Sequence, residues 1–146
     1  MFKIQRIRRL AGVAALTLPL SIFAMGTAHA DAPWLEDPSI CSNIQTAPGP
    51  ISVNGRTVQI RYGSCNGTQY GWGRILGYSP LDYIRFEVDI TGDRVADGYS
   101  YYRAGERNYT AGYPTSSSST RAFRACYVAL PITDCGNSAA ASTPWW

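Results

Sequence analysis

The sequence predicts an all-β domain, a small sandwich or barrel of six to seven short strands held by two disulfides. Three observations lead there. Apolar and polar residues alternate with period two in several short windows. Clusters of Gly, Pro, Asn and Ser separate those windows. Four cysteines, Cys41, Cys65, Cys126 and Cys135, lie in a short chain that begins like an exported one. No window beyond the start of the chain carries a convincing amphipathic helix, and internal repeats are not evident.

Residues 1–30 read as a secretory signal peptide. A basic start (Lys3, Arg6, Arg8, Arg9) precedes an apolar run from Leu10 to Met25, and Ala28-His29-Ala30 supplies the small-x-small cleavage pattern. The run is interrupted by Pro19 and is too short for a comfortable membrane span. Cleavage after Ala30 removes the only Lys, the only His and both Met. It leaves nine Arg against ten acidic residues, so the net charge of +3 belongs to the leader. Nucleic-acid binding loses its electrostatic basis. A Ser–His or Cys–His nucleophile, a Lys Schiff base and a His-ligated metal are excluded with those residues. No membrane span and no cofactor are expected after cleavage.

The remaining chain divides into an extended Pro-rich arm (31–50; Pro33, Pro38, Pro48, Pro50), a β domain (51–136) and a small-residue tail (137–146) ending in Trp145-Trp146. Ile51–Val53, Asn54-Gly55 and Arg56–Tyr62 read as a hairpin, since Asn-Gly supplies both positive-φ positions of a type I′ turn. Val58, Ile60 and Tyr62 share one face of its second arm. Gln69–Tyr78 is a second aromatic strand, in which Gly71 and Gly73 beside Trp72 mark a bulge or a close backbone approach. Asp82–Ile90 alternates most cleanly. Ile84, Phe86, Val88 and Ile90 fall on one face, while Tyr83, Arg85, Glu87 and Asp89 fall on the other, which is expected to be a solvated outer face. A polar turn, Thr91–Gly98, leads into Tyr99–Tyr102. Asn108–Tyr113 is a further short strand, Pro114–Thr120 a serine-rich loop, and Ala122–Leu130 the last strand.

The even cysteine count in an exported chain predicts two disulfides. Zinc is disfavoured, because the gaps of 23, 60 and 8 residues contain no C-x-x-C pair. Chain entropy barely separates the possible pairings. The hairpin favours Cys41–Cys65 with Cys126–Cys135, because it folds the chain back and returns Cys65 towards the arm carrying Cys41.

Cys41, the run Val58-Gln59-Ile60-Arg61-Tyr62-Gly63-Ser64-Cys65 and then Trp72-Gly73-Arg74-Ile75 resemble a small secreted actinobacterial domain of unknown function. That family has the pattern C…(V/I)-x-(L/I)-R-Y-S-x-x-C followed by W-A-R-(I/V). The similarity covers Cys41 to Ile75. Gly63 stands in place of its serine, the Tyr-to-Cys gap is one residue shorter and the Cys-to-Trp gap is longer. The resemblance implies an exported β domain whose first two cysteines pair, and it carries no activity.

Three groups of side chains are candidates for function. Asp89, Thr91, Asp93 and Asp97 follow the ligand order of a calcium loop, with the Val95 carbonyl as a fifth donor. Arg94 stands where such loops have glycine, and Ser100 where they have a bidentate Glu. A plain polar turn is therefore the preferred reading. Glu87 and Asp89, two apart on one strand face, have the separation of a glycosidase carboxylate pair. Alternation with Arg85 favours a solvated face over catalysis. The aromatics are the third group. All ten Tyr and all four Trp lie beyond the leader, seven of the Tyr between Tyr78 and Tyr113. Trp72, Tyr99, Tyr101 and Tyr102 are the candidates for a ligand-binding surface. The Arg-only basicity suits carboxylate or phosphate recognition, and equally the codon usage of a high-GC genome. The expectation is a secreted, monomeric, non-catalytic protein that binds an extracellular glycan, a cell-envelope polymer or a protein. The alternative is an inhibitor of an extracellular hydrolase, presenting Thr115–Thr120 or the Cys126–Cys135 loop.

Overall fold

The computed structural model describes residues 33–146, apart from the side chains of residues 139 and 140; the expected leader lies outside the described residues. The chain forms eight strands in two sheets: β1 (Ser42–Thr46), β2 (Ile51–Val53), β3 (Arg56–Cys65), β4 (Thr68–Leu76), β5 (Tyr83–Asp89), β6 (Gly98–Arg103), β7 (Tyr113–Pro114) and β8 (Ala122–Val128). The larger sheet has the order β1-β3-β4-β7, with β2 on the same edge of β3 as β1; the smaller has the order β6-β5-β8. All pairings between named strands are antiparallel. This is the all-β, two-disulfide architecture expected, with eight strands where six or seven were predicted.

Local chemistry sets the framework. Asn54 and Gly55 both take positive φ (50° and 77°) between β2 and β3. The predicted two-residue turn is therefore present. Asn66 and Gly67 repeat it (51° and 82°) between β3 and β4. At this second hairpin Cys65 pairs with Thr68 and the ladder runs unbroken to Thr57 and Leu76. β3 is much longer than β2, so its edge beyond Val58 has backbone groups left to satisfy. β1 fills that edge, with Thr46 opposite Arg61 and Ser42 opposite Ser64. The segment expected to be an extended arm thus contributes a strand.

The inner faces of the two sheets bury Val58, Ile60 and Ile75 against Ile84, Phe86, Val88, Phe123 and Ala125. Each fully buried large side chain contributes about 1.5–3 kcal/mol. The glycines flanking Trp72 face this core. A Cβ on Gly73 would lie 3.2 Å from the Phe86 Cβ, and one on Gly71 would lie 2.8 Å from the Phe123 ring. The close backbone approach read from the sequence is real, and its cause is the two phenylalanines beneath β4. The tail expected beyond residue 136 closes the free edge of β8. Phe123 and Trp146 exchange backbone hydrogen bonds (2.8 and 2.9 Å), Thr143 N–H donates to the Ala125 carbonyl, and the Trp146 ring stacks on Tyr62 at 5.1 Å. Asn108–Tyr113 is less regular than expected. It forms a bridge at Tyr109 to Arg74 and enters β7 only at Tyr113.

The disulfides are Cys41–Cys65 and Cys126–Cys135, as the hairpin argument expected. The first ties the segment before β1 to the end of β3. The second fastens β8 to Cys135–Ala141, a run of 3₁₀ turns kinked at Ser138. No helix among the described residues is long and apolar enough to cross a membrane.

Candidate functional site

The site develops from the outward face of the β6-β5-β8 sheet. Cross-strand register places Tyr83 opposite Arg103, Arg85 opposite Tyr101 and Glu87 opposite Tyr99. On the other edge of β5, Arg85 lies opposite Cys126 and Glu87 opposite Arg124. Strand alternation therefore puts three tyrosines, three arginines and one glutamate on one surface.

The expectation of a solvated outer face for β5 is overturned. Arg85 is 5% exposed, and Glu87 and Asp89 are fully buried. The reason for Arg85 and Glu87 is the Cys126–Cys135 loop, which folds over them, and for Asp89 the following turn, whose Gly92 and Arg94 close on it. Glu87 accepts hydrogen bonds from Arg85 Nε (2.8 Å), Arg124 Nη2 (2.7 Å), Arg124 Nε (3.1 Å) and the Cys135 backbone N–H (2.8 Å). Arg85 also donates to the Pro131 carbonyl at 3.0 Å. One buried carboxylate thus pairs with two guanidiniums, leaving the cluster a net charge of +1, and anchors the loop through the Cys135 N–H.

Next to this triad the surface becomes aromatic. The Arg85 guanidinium lies 3.9 Å from the Tyr99 ring centroid, a cation–π contact. Tyr99 and Tyr101 are nearly parallel, 19° apart with centroids at 6.2 Å, and are 53% and 44% exposed. Tyr83 meets Tyr101 edge-on, and Arg103 Nη2 donates to the Tyr83 hydroxyl at 3.0 Å. Between Tyr99 and the roofing loop runs a cleft of about 450 Å³, lined by Arg85, Glu87, Arg94, Tyr99, Arg124 and Asp134; Tyr101 lies outside this lining, beside Tyr83. Its wall carries both hydrogen-bond donors and acceptors beside exposed π faces.

The four aromatics expected to form one surface do not. Tyr99 and Tyr101 share the outer face. Tyr102, one residue on, points to the other side, where its hydroxyl donates to Glu36 and Arg107 lies 3.8 Å from its ring. Trp72 is 4% exposed on the outward side of the other sheet and packs with the Cys41–Cys65 disulfide. Period-two alternation separates Tyr101 from Tyr102, and membership of a different sheet removes Trp72. Arg85, Arg124 and Asp134, which do line the cleft, are not among the sequence candidates for binding. Arg124 is placed there by the β5–β8 register, which no local sequence pattern reveals.

The Asp89–Asp97 turn is closed by its own groups. Asp89 accepts from Gly92 N–H (2.7 Å), Arg94 N–H (2.8 Å) and Arg94 Nη1 (2.8 Å). Asp97 accepts from Ile90 N–H (2.6 Å) and Thr91 N–H (3.0 Å), and Asp93 accepts from Val95 N–H (2.9 Å). Arg94 takes the left-handed conformation (φ 61°) in which such loops favour glycine. Its guanidinium reaches back to Asp89 and onward to the Ser119 and Thr120 carbonyls. Burial alone would raise the Asp89 carboxyl, but Arg94 and the turn N–H groups outweigh it and hold it below the ordinary value.

Comparison with known proteins adds little at this point. No family model and no solved structure matches the chain. An 86-residue stretch, 59% of the chain, is 31% identical to part of the tRNA 5-methylaminomethyl-2-thiouridine biosynthesis bifunctional protein MnmC of Pseudomonas paraeruginosa. The match spans 12% of that protein's length.

Proposed function

We propose that this is an exported, non-catalytic protein that binds a glycan or cell-envelope polymer through Tyr99 and Tyr101 and the cleft beside them. The observation that carries the reading is the pair of exposed, nearly parallel tyrosines on a sheet surface. Sugar rings have apolar C–H faces that stack on aromatic faces, while their hydroxyls need donors and acceptors at the edge. Arg94, Arg124 and Asp134 border the cleft in positions to supply these. Arg85 lies against one end of the pair, which restrains Tyr99 before any ligand arrives and lowers the entropy lost on binding. A non-catalytic role is supported by the carboxylates. Glu87 is held by two arginines and Asp89 by Arg94, so the oxygens of both are already engaged within the fold. Export is supported by the two disulfides, by the signal-peptide pattern expected of residues 1–30 and by the resemblance of Cys41–Ile75 to a secreted domain.

The test is co-sedimentation of the protein with insoluble cell-wall polysaccharide. Retention should fall about tenfold or more in Tyr99→Ala and Tyr101→Ala, the loss typical of a binding aromatic. Equal retention of wild type and both variants would contradict the reading.

One observation favours a second reading, inhibition of an extracellular hydrolase. The Cys126–Cys135 loop presents Leu130 (59% exposed) and Ile132 (86% exposed), and a crosslinked loop docks with little loss of entropy. Inhibition of secreted hydrolases that disappears in Ile132→Asp would support it.

A further inference from the structure

A second hollow lies on the opposite side of the sandwich, on the outward face of β3 and β4. It has a volume of about 220 Å³ and is lined by Ile44, Arg61, Trp72, Arg74, Asn108 and Tyr109, with Ser39 at its rim. Register explains the grouping. Arg61 is opposite Trp72 and Arg74 is opposite Gln59. The two arginines are therefore diagonal neighbours on one face, roughly 7–8 Å apart along the backbone.

These arginines differ from the other cations of the fold. Arg56, Arg85, Arg94, Arg107 and Arg124 each pair with a carboxylate. Among the described residues, Arg61 and Arg74 have neither an ion-pair partner nor a cation–π ring. Arg61 Nη1 donates to the Thr46 hydroxyl at 2.5 Å. No Asp or Glu occurs between Asp37 and Asp82, so β1 to β4 contain no acidic residue at all. Asp37, which is not among the lining residues, accepts from Ser39 N–H (3.0 Å) and the Tyr109 hydroxyl (3.2 Å). Burial, and then the charge of Arg74, draw the Arg61 guanidinium below its ordinary value. Two partly buried like charges with no carboxylate at ion-pair distance cost free energy, which a bound anion would relieve.

We propose that this hollow binds an oxyanion, a phosphate or carboxylate group, between the Arg61 and Arg74 guanidiniums. Their planar donor forks fit either group bidentately. Trp72 and Tyr109 form an apolar wall for the organic part of the ligand. The site is independent of the tyrosine surface, which lies on the other sheet.

The test is an NMR titration of the ¹⁵N-labelled protein with sodium phosphate and, separately, sodium acetate, with sodium chloride holding ionic strength constant. Melting temperature is a poor readout here, since phosphate stabilises folded proteins without binding them. Saturable shifts are expected at the Arg61 and Arg74 Nε–H groups and the Trp72 indole N–H. Affinity should fall about tenfold or more in Arg74→Gln and in Arg61→Gln, the loss of a charged hydrogen bond. Tighter binding of phosphate assigns a phosphate ester, and tighter binding of acetate a carboxylate. Unsaturable drift with both salts, or equal saturable binding by wild type and both variants, would overturn the site. Tyr99→Ala should leave these shifts unchanged, so this site and the tyrosine surface fail independently.

Discussion

Replacing Glu87 by glutamine keeps the shape of the side chain and removes its charge. Glu87 is fully buried and accepts three hydrogen bonds from guanidiniums and one from the Cys135 N–H. The variant leaves the side chains of Arg85 and Arg124, 6% and 18% exposed, without a counter-charge. Its amide NH₂ also opposes a donor. Breaking a buried pair in this way costs about 3–5 kcal/mol, and the residual exposure of Arg124 favours the lower figure. A domain of this size has a total stability of roughly 6–17 kcal/mol. The melting temperature should therefore fall by on the order of 12 °C or more. The assay is thermal and urea unfolding followed by circular dichroism under oxidising conditions, with non-reducing peptide mapping to confirm both disulfides. Replacing the triad together (Arg85→Met, Glu87→Leu, Arg124→Met) should recover part of the loss, because no triad charge is then left buried, while the Cys135 N–H and the Pro131 carbonyl lose their partners. A loss under about 1 kcal/mol for Glu87→Gln would place the triad among solvated surface pairs and refute the roofed-face account.

Three further outcomes follow from the same geometry. Gly71→Ala places a Cβ 2.8 Å from the Phe123 ring and should destabilise by about 1–3 kcal/mol, measured by urea unfolding. Asp82 and Asp89 are both held below the ordinary Asp value of 3.8, because hydrogen bonds and arginine charge outweigh burial. Their contribution to stability is complete above that value and is lost as pH falls through the lower folded values; Asp82→Asn should flatten this acid limb of the stability curve. Millimolar calcium should leave the melting temperature unchanged in the wild type and in Asp93→Ala, since Arg94 already serves the Asp89 carboxylate; a calcium-dependent rise abolished by Asp93→Ala would contradict this.

The parts of the fold legible in the sequence were those fixed by local chemistry. Asn54-Gly55 announced its hairpin, Gly71 and Gly73 announced a tight approach, and the alternation from Ile84 announced the core face of β5 as far as Val88; Ile90, expected on that face, lies past the end of β5 and is exposed. The Asn66-Gly67 turn carries the same signal as the first. Long-range geometry stayed hidden. Alternation shows that Arg85, Glu87 and Asp89 share a face, but only the disulfide-closed loop over the first two and the Arg94 turn over the third make that face an interior one. A ten-residue β3 has room for β1 beside β2, yet the edge it leaves open is visible only once the pairing is known. The splitting of Tyr101 from Tyr102 was legible from strand period alone.

The most direct measurement is the response of individual side-chain resonances to soluble cell-envelope polysaccharide added to the labelled protein. The Tyr99 and Tyr101 ring signals and the Arg85 Nε–H should shift together and saturate, and Tyr99→Ala should abolish the effect. Saturable shifts confined to Leu130 and Ile132, or none at Tyr99 and Tyr101 at any polysaccharide concentration, would contradict the assignment of that surface.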